Sequence, residues 1–188
     1  MVRTAVSSLE SKHIRKGHNI IENIEDVLRK NPRLKRRGYA CPASESDRLY
    51  KSDVVHPASE ESCDLCCGMD STKLVTRQQR DDEDDDPAIH YGLIGSGNKV
   101  IKDAILRDKL AREEGILCFE MEAAGIMNRF PCLVVRGICD YSDSHKNKKW
   151  QGYAAMTAAA YVKELLMEIP SEGIEREERL AVAIEKRE

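Results

Sequence analysis

Leu117-Cys118-Phe119-Glu120-Met121-Glu122-Ala123-Ala124-Gly125, followed by Cys132-Leu133-Val134-Val135-Arg136-Gly137-Ile138-Cys139-Asp140, decides the reading of this chain. Each stretch is a short apolar run that ends in charge. Ile116 to Phe119 and Cys132 to Ile138 read as strands, the second as one buried on both faces, because its apolar run is broken only at Arg136 and Gly137. Met121 to Asn128 reads as a short helix stopped near Pro131. Upstream, Ile89, Tyr91 and Leu93 alternate like a strand and run into the small-residue turn Gly92 to Asn98. Val100, Ile101, Ala104, Ile105, Leu106 and Leu110 then form a helical stripe over Lys99 to Glu114. Downstream, Trp150 to Met167 repeats its apolar residues every three or four positions and carries an alanine run suited to close packing. Strands alternating with helices predict an α/β fold with a mainly parallel sheet flanked by helices. In such sheets ligands bind at the carboxyl ends of the strands, where these charges lie.

The rest of the chain is less apolar. Of 188 residues 34% are charged, with two Phe and one Trp, and the apolar residues crowd between Ile89 and Leu166, which predicts the core there. Residues 1–32 read as one amphipathic helix, with Leu9, His13, Ile20, Ile24, Val27 and Leu28 on a stripe, weakened at Gly17 and ended at Asn31-Pro32. Residues 33–86 read as a polar, loosely ordered insertion with a short strand at Ser52 to Val55; Asp81 to Asp86, a run of acids, reads as a solvated loop. Residues 87–169 form the α/β part, and 170–188 a charged tail.

The net charge of −3 gives no reason to expect nucleic acid or an acidic membrane as partner. The sequence has neither a bilayer-spanning apolar run nor a signal-peptide core at Met1 to Val6, so a cytoplasmic address is the default. An odd count of seven cysteines fits reduced thiols. Cys63-x-x-Cys66 is half of a zinc site that Cys41, His56 or His90 could complete, but a second pair at the usual spacing is absent, so unligated cysteines and no metal are expected.

Phe119 to Gly125 and Val134 to Asp140, with Gly95-Ser96-Gly97-Asn98 upstream, resemble the C-terminal half of the nucleoside phosphorylase superfamily. Within it the chain is most similar to the methylthioadenosine/S-adenosylhomocysteine nucleosidase branch. It is closer still to phosphorylase-like domains at the head of multidomain, repeat-bearing receptor-like proteins of filamentous fungi. The resemblance implies cleavage of the N-glycosidic bond of a purine nucleoside, by phosphate as co-substrate or by water, with no other cofactor. Asp140 would protonate the leaving base and Arg136 would face the nucleophile. Glu120, Met121 and Glu122 would hold the ribose, and Ser96, Gly97, Val100 and Ile101 would line the base. A second copy or a parent multidomain protein is the implied macromolecular partner. Two departures stand out. Cys139 replaces a serine often found before the catalytic acid, and is a poorer hydrogen-bond partner for orienting Asp140. The family's glycine-rich N-terminal strands have no counterpart here, so a truncated phosphorylase/nucleosidase-like fold is expected. Its alternative is a catalytically incomplete nucleoside-binding or interaction domain of a multidomain receptor-like protein.

Overall fold

The computed structural model describes residues 2–57, 62–68, 70–78, 81, 85–130 and 132–170; the predicted charged tail from 171 onward and residues 82–84 of the acidic run lie outside them. The N-terminal stripe folds as two helices, α1 (Val2–Lys16) and α2 (Ile20–Lys30), and not as the single helix expected. The break is at Gly17, whose φ of 71° lies in the left-handed region that glycine enters without a Cβ penalty. The chain turns there and lays α2 back, so both halves of the stripe reach the same core. Pro32 does not simply end a helix either. It starts the short helix α3 (Pro32–Arg36), where the missing proline N–H leaves nothing unsatisfied.

The core itself is a correction. The buried cluster joins Ala5 and Leu9 of α1, Ile20 and Ile24 of α2, and Tyr153, Ala160, Tyr161 and Leu165 of α7 (Gln151–Met167). The N-terminal helices therefore supply half of the apolar interior that composition had assigned to residues 89–166. A polar joint fixes them. Glu164 of α7 takes hydrogen bonds from the Asn19 N–H (3.1 Å) and the Asn23 amide (3.1 Å), and its second oxygen lies 2.8 Å from His13 Nε2.

Two strands, β1 (Leu93–Ser96) and β2 (Ile116–Glu120), pair in parallel, connected by α5 (Ala104–Glu114). The α/β character and the parallel pairing are present, as a two-stranded sheet among the described residues. β1 is shorter than the alternation from Ile89 suggested. α5 begins later than Lys99, because the Asp103 carboxylate caps it by accepting the N–H groups of Ile105 (2.9 Å) and Leu106 (3.1 Å). Lys99, Val100 and Ile101 are thereby left in a loop. α6 (Ala123–Met127) follows β2 closely.

Cys132 to Ile138, the clearest strand by sequence, is irregular. Among the described residues no ladder partner lies beside it, and an apolar run becomes a strand only by pairing. It packs instead on the start of α7, where a Cβ on Gly137 would overlap the Ala154 carbonyl. Arg136 is accordingly exposed, not buried in a strand.

The insertion is more anchored than its composition suggests. Ser52 to Val55 forms no strand; Tyr50 makes an isolated antiparallel bridge with Leu74. Polar contacts pin the segment to residues 140–150: Tyr141 donates its hydroxyl to Asp47 (2.6 Å), Trp150 donates its indole N–H to Ser46 (3.1 Å), and the His56 N–H bonds Ser144 (2.9 Å). α4 (Cys63–Cys66) is a single turn within it.

Candidate functional site

The carboxyl end of β2 opens into a cleft of about 130 Å³. Its walls come from the loop before α5 (Lys99, Val100, Ile101), from the end of β2 (Cys118 to Met121), and from the irregular segment beyond it (Arg136, Ile138 to Asp140, Ser142, Lys146). Of the residues singled out by sequence, Val100, Ile101, Glu120, Met121, Arg136 and Asp140 line it. Ser96, Gly97 and Glu122 do not. The Ser96 hydroxyl accepts the Ala124 N–H (2.9 Å), and the exposed Glu122 folds its carboxylate back on the Met121 N–H (3.2 Å).

The two acids in the cleft are both engaged. Glu120 ends β2 and is buried, 6% exposed. One carboxylate oxygen accepts the N–H groups of Glu122 (2.7 Å) and Ala123 (2.8 Å), which caps α6. The Ser96 hydroxyl beside it, and then those N–H groups, outweigh burial and hold its carboxyl below the usual range. The other oxygen, Oε1, is buried with no hydrogen-bond partner.

Asp140 sits at a tight corner. Its Oδ1 accepts the Ser142 N–H (2.9 Å), with Ser142 at a φ of 51°, and takes the Lys146 ammonium at 2.6 Å. Burial by itself would raise the Asp140 carboxyl. The Lys146 and Ser142 hydrogen bonds and the charges of Lys146 and Arg136 overcome it, so Asp140 is held below the ordinary aspartate value. Cys139 stands where the resemblance led one to look for an orienting hydroxyl, and its thiol is 3.8 Å from Asp140 Oδ2. Burial pushes that thiol up, and the Asp140 charge adds to it.

Sequence reasoning missed the two lysines. Lys146 follows Asp140 by six residues, and only the Asp140–Ser142 corner folds it back onto the carboxylate. Lys99 joins Val100 and Ile101 only because Asp103 starts the helix after them.

A general acid must hold its proton near neutral pH, and a buried, unpaired environment is what raises a carboxyl to do so. Asp140 is ionised and ion-paired. Arg136 and Lys99 are exposed cations of the cleft, beside the apolar surface of Val100, Ile101, Phe119, Met121 and Ile138. Such an arrangement can hold a flat apolar ring and an oxygen-rich or anionic group.

Fold and site define a small α/β unit with a charged cleft at the carboxyl end of β2 in a parallel strand pair. The chain is similar to a protein described as a nucleotide-binding leucine-rich repeat (NLR)-like protein of Hyaloscypha variabilis, 53% identical over 107 residues. The match covers 57% of this chain and 11% of that protein, so the shared region is about a tenth of the relative's length. No family model matches the chain, and no solved structure matches it. The receptor-type description of this relative overturns the reading of the chain as a nucleoside phosphorylase or nucleosidase of purine metabolism. It favours the alternative, a part of a multidomain receptor-like protein. Among the described residues no helix is long and apolar enough to cross a membrane.

Proposed function

We propose that this chain is a ligand-recognition segment of a multidomain receptor-like protein, whose cleft at the end of β2 holds a nucleoside-class molecule without cleaving it. The observation that carries this reading is the Asp140–Lys146 pair at 2.6 Å. It spends the acid that would protonate a leaving base on a structural corner, while Arg136 stays open to the cleft. The apolar wall suits a purine face, and Arg136 suits the oxygens of a ribose or phosphate. The resemblance of Phe119 to Gly125 and Val134 to Asp140 to nucleoside-binding sequences supports the same ligand class. A cleft of about 130 Å³ is smaller than the 300–1,000 Å³ or so of complete small-molecule pockets. Other parts of the parent protein complete the enclosure in this reading, and the exposed Phe130, Leu133, Leu166 and Met167 are surface on which they pack.

Calorimetric titration of the chain with adenosine, inosine and their monophosphates tests it. Measurable binding is expected, weakened about 10- to 100-fold by Arg136→Ala, since a hydrogen bond to a charged group contributes about 1.5–3 kcal/mol. Absence of binding by every nucleoside and nucleotide, with the chain folded, overturns the ligand assignment.

A further inference from the structure

Away from the cleft, the insertion gathers sulfur and imidazole donors. The one-turn helix α4 and the residue after it present Cys63, Cys66 and Cys67, and His56 faces them from the chain before. The donor atoms of His56, Cys63 and Cys67 all lie within 4.8 Å of one another. Cys66 closes the group, its sulfur 3.3 Å from His56 Nε2 and 3.6 Å from the Cys67 sulfur. None of the seven cysteines forms a disulfide.

The His56–Cys66 and Cys66–Cys67 separations are those of a tetrahedral zinc centre, and the His56, Cys63 and Cys67 donors, within 4.8 Å of one another, are near enough to converge on one ion. Zn–S bonds of about 2.3 Å and Zn–N bonds of about 2.0–2.1 Å place sulfurs roughly 3.8 Å apart and a nitrogen roughly 3.5 Å from a sulfur. The histidine is also set for ligation. Its Nδ1 is 2.7 Å from the Pro57 carbonyl, which can only accept, so that nitrogen carries the proton. Nε2 is left with its lone pair toward the sulfurs. A ring N–H held by a backbone carbonyl is the usual support for a metal-bound imidazole.

The surroundings point the same way. Cys67 is buried, and the buried His145 ring lies 5.6 Å from that of His56 against Tyr50. Both ring nitrogens of that His145 lack a hydrogen-bond partner among the described residues, while Asp143, 3% exposed, has its countercharge from Arg107, whose Nη1 lies 3.9 Å from Oδ2. Among its described residues, the segment from Tyr50 to Leu74 has one β-bridge, Tyr50 with Leu74, and the one-turn helix α4 as its regular structure.

We propose that His56, Cys63, Cys66 and Cys67 bind one Zn²⁺ in a closed, structural site. On binding, each thiol gives its proton to solvent and its sulfur lone pair to the metal; His56 Nε2 enters unprotonated. With four protein ligands no position remains open for water, so the site holds the insertion in shape and does no chemistry.

The test uses the full chain, purified under reducing conditions and stripped of metal. Titration with Co²⁺ is expected to give, at one equivalent, the intense visible bands of a tetrahedral ion and charge-transfer absorption of three thiolates. Zn²⁺ is expected to abolish both. Cys63→Ser and Cys67→Ser should each weaken Zn²⁺ binding by more than about 100-fold, beyond the 10- to 100-fold that supporting residues alone are worth. The paired control Cys41→Ser/Cys132→Ser, at exposed cysteines, should leave it unchanged. Should a ligand variant fail to fold, the cobalt spectrum of the unaltered chain still decides. Weak octahedral absorption, or binding that survives loss of Cys63, overturns the site.

Discussion

Replacing Gly137 with alanine puts a methyl group where the chain has no room. An ideal Cβ there overlaps the Ala154 carbonyl and stands 3.0 Å from Ala154 Cα. Carbon atoms pack best at about 3.5–4.0 Å and this Cβ would stand 2.4 Å from the Ala154 carbonyl carbon, so the two segments must part by about 1.1–1.6 Å. Ala154 cannot yield cheaply. It is buried near the start of α7, and its carbonyl belongs to the helix ladder. The 132–140 segment must therefore retreat, at the upper end of the 1–3 kcal/mol or so typical of overpacking. About 2–3 kcal/mol corresponds to a melting temperature lower by about 4–12 °C in a chain of this length. The retreat also carries Arg136 and Ile138 away from the cleft, so nucleoside affinity should fall together with stability. Gly97→Ala is the matched control, because nothing lies within 4 Å of its Cβ; a change within about 0.5 kcal/mol is expected. Differential scanning calorimetry on the three chains reads the outcome. A Gly137→Ala chain that melts with the unaltered one would refute the contact between this segment and α7.

Other consequences follow from the core and the cleft. Leu9 is fully buried between the helices, so Leu9→Ala should cost about 2–5 kcal/mol, read as a lower urea midpoint at unchanged slope. Glu164→Ala strands the Asn19 N–H, the Asn23 amide and the His13 ring at once, and thermal melting should show a loss of about 2–3 kcal/mol that Glu164→Gln partly restores. Because Asp140 is held below its ordinary value, its pairing contributes stability above the unfolded aspartate pKa of about 3.9 and loses it as pH falls through the depressed native value. Lys146→Met removes that pairing, so its melting temperature should fall less steeply over the same acid range than that of the unaltered chain.

What the sequence disclosed depended on whether a pattern was local. β2 and α6 were legible because a short apolar run, an acid pair and an alanine start sit side by side. α7 was legible from its own periodicity. Cys132 to Ile138 was not, because an apolar run shows what a segment buries and not whether a neighbouring strand exists to pair with it. The split at Gly17 was hidden because Ile20 and Ile24 continue the apolar spacing of Leu9 and His13, so the turn changes direction without disturbing the pattern. In the cleft, Asp140 and Arg136 were visible as charges among apolar residues. Lys146 was not, since its role depends on the Asp140–Ser142 corner that folds it back. At the cysteine cluster the paired spacing of Cys63 and Cys66 was plain, but Cys67 read as a mere neighbour until α4 turned it toward His56.

Incubating the full chain with adenosine, inosine and methylthioadenosine, with and without inorganic phosphate, and measuring free purine by chromatography separates recognition from cleavage. With Asp140 held as a carboxylate by Lys146 and Glu120 committed to capping α6, purine release should not exceed that of an Asp140→Asn chain. Release by the unaltered chain that Asp140→Asn abolishes would contradict the assignment of Asp140 to a structural pair, and with it the non-catalytic reading of the cleft.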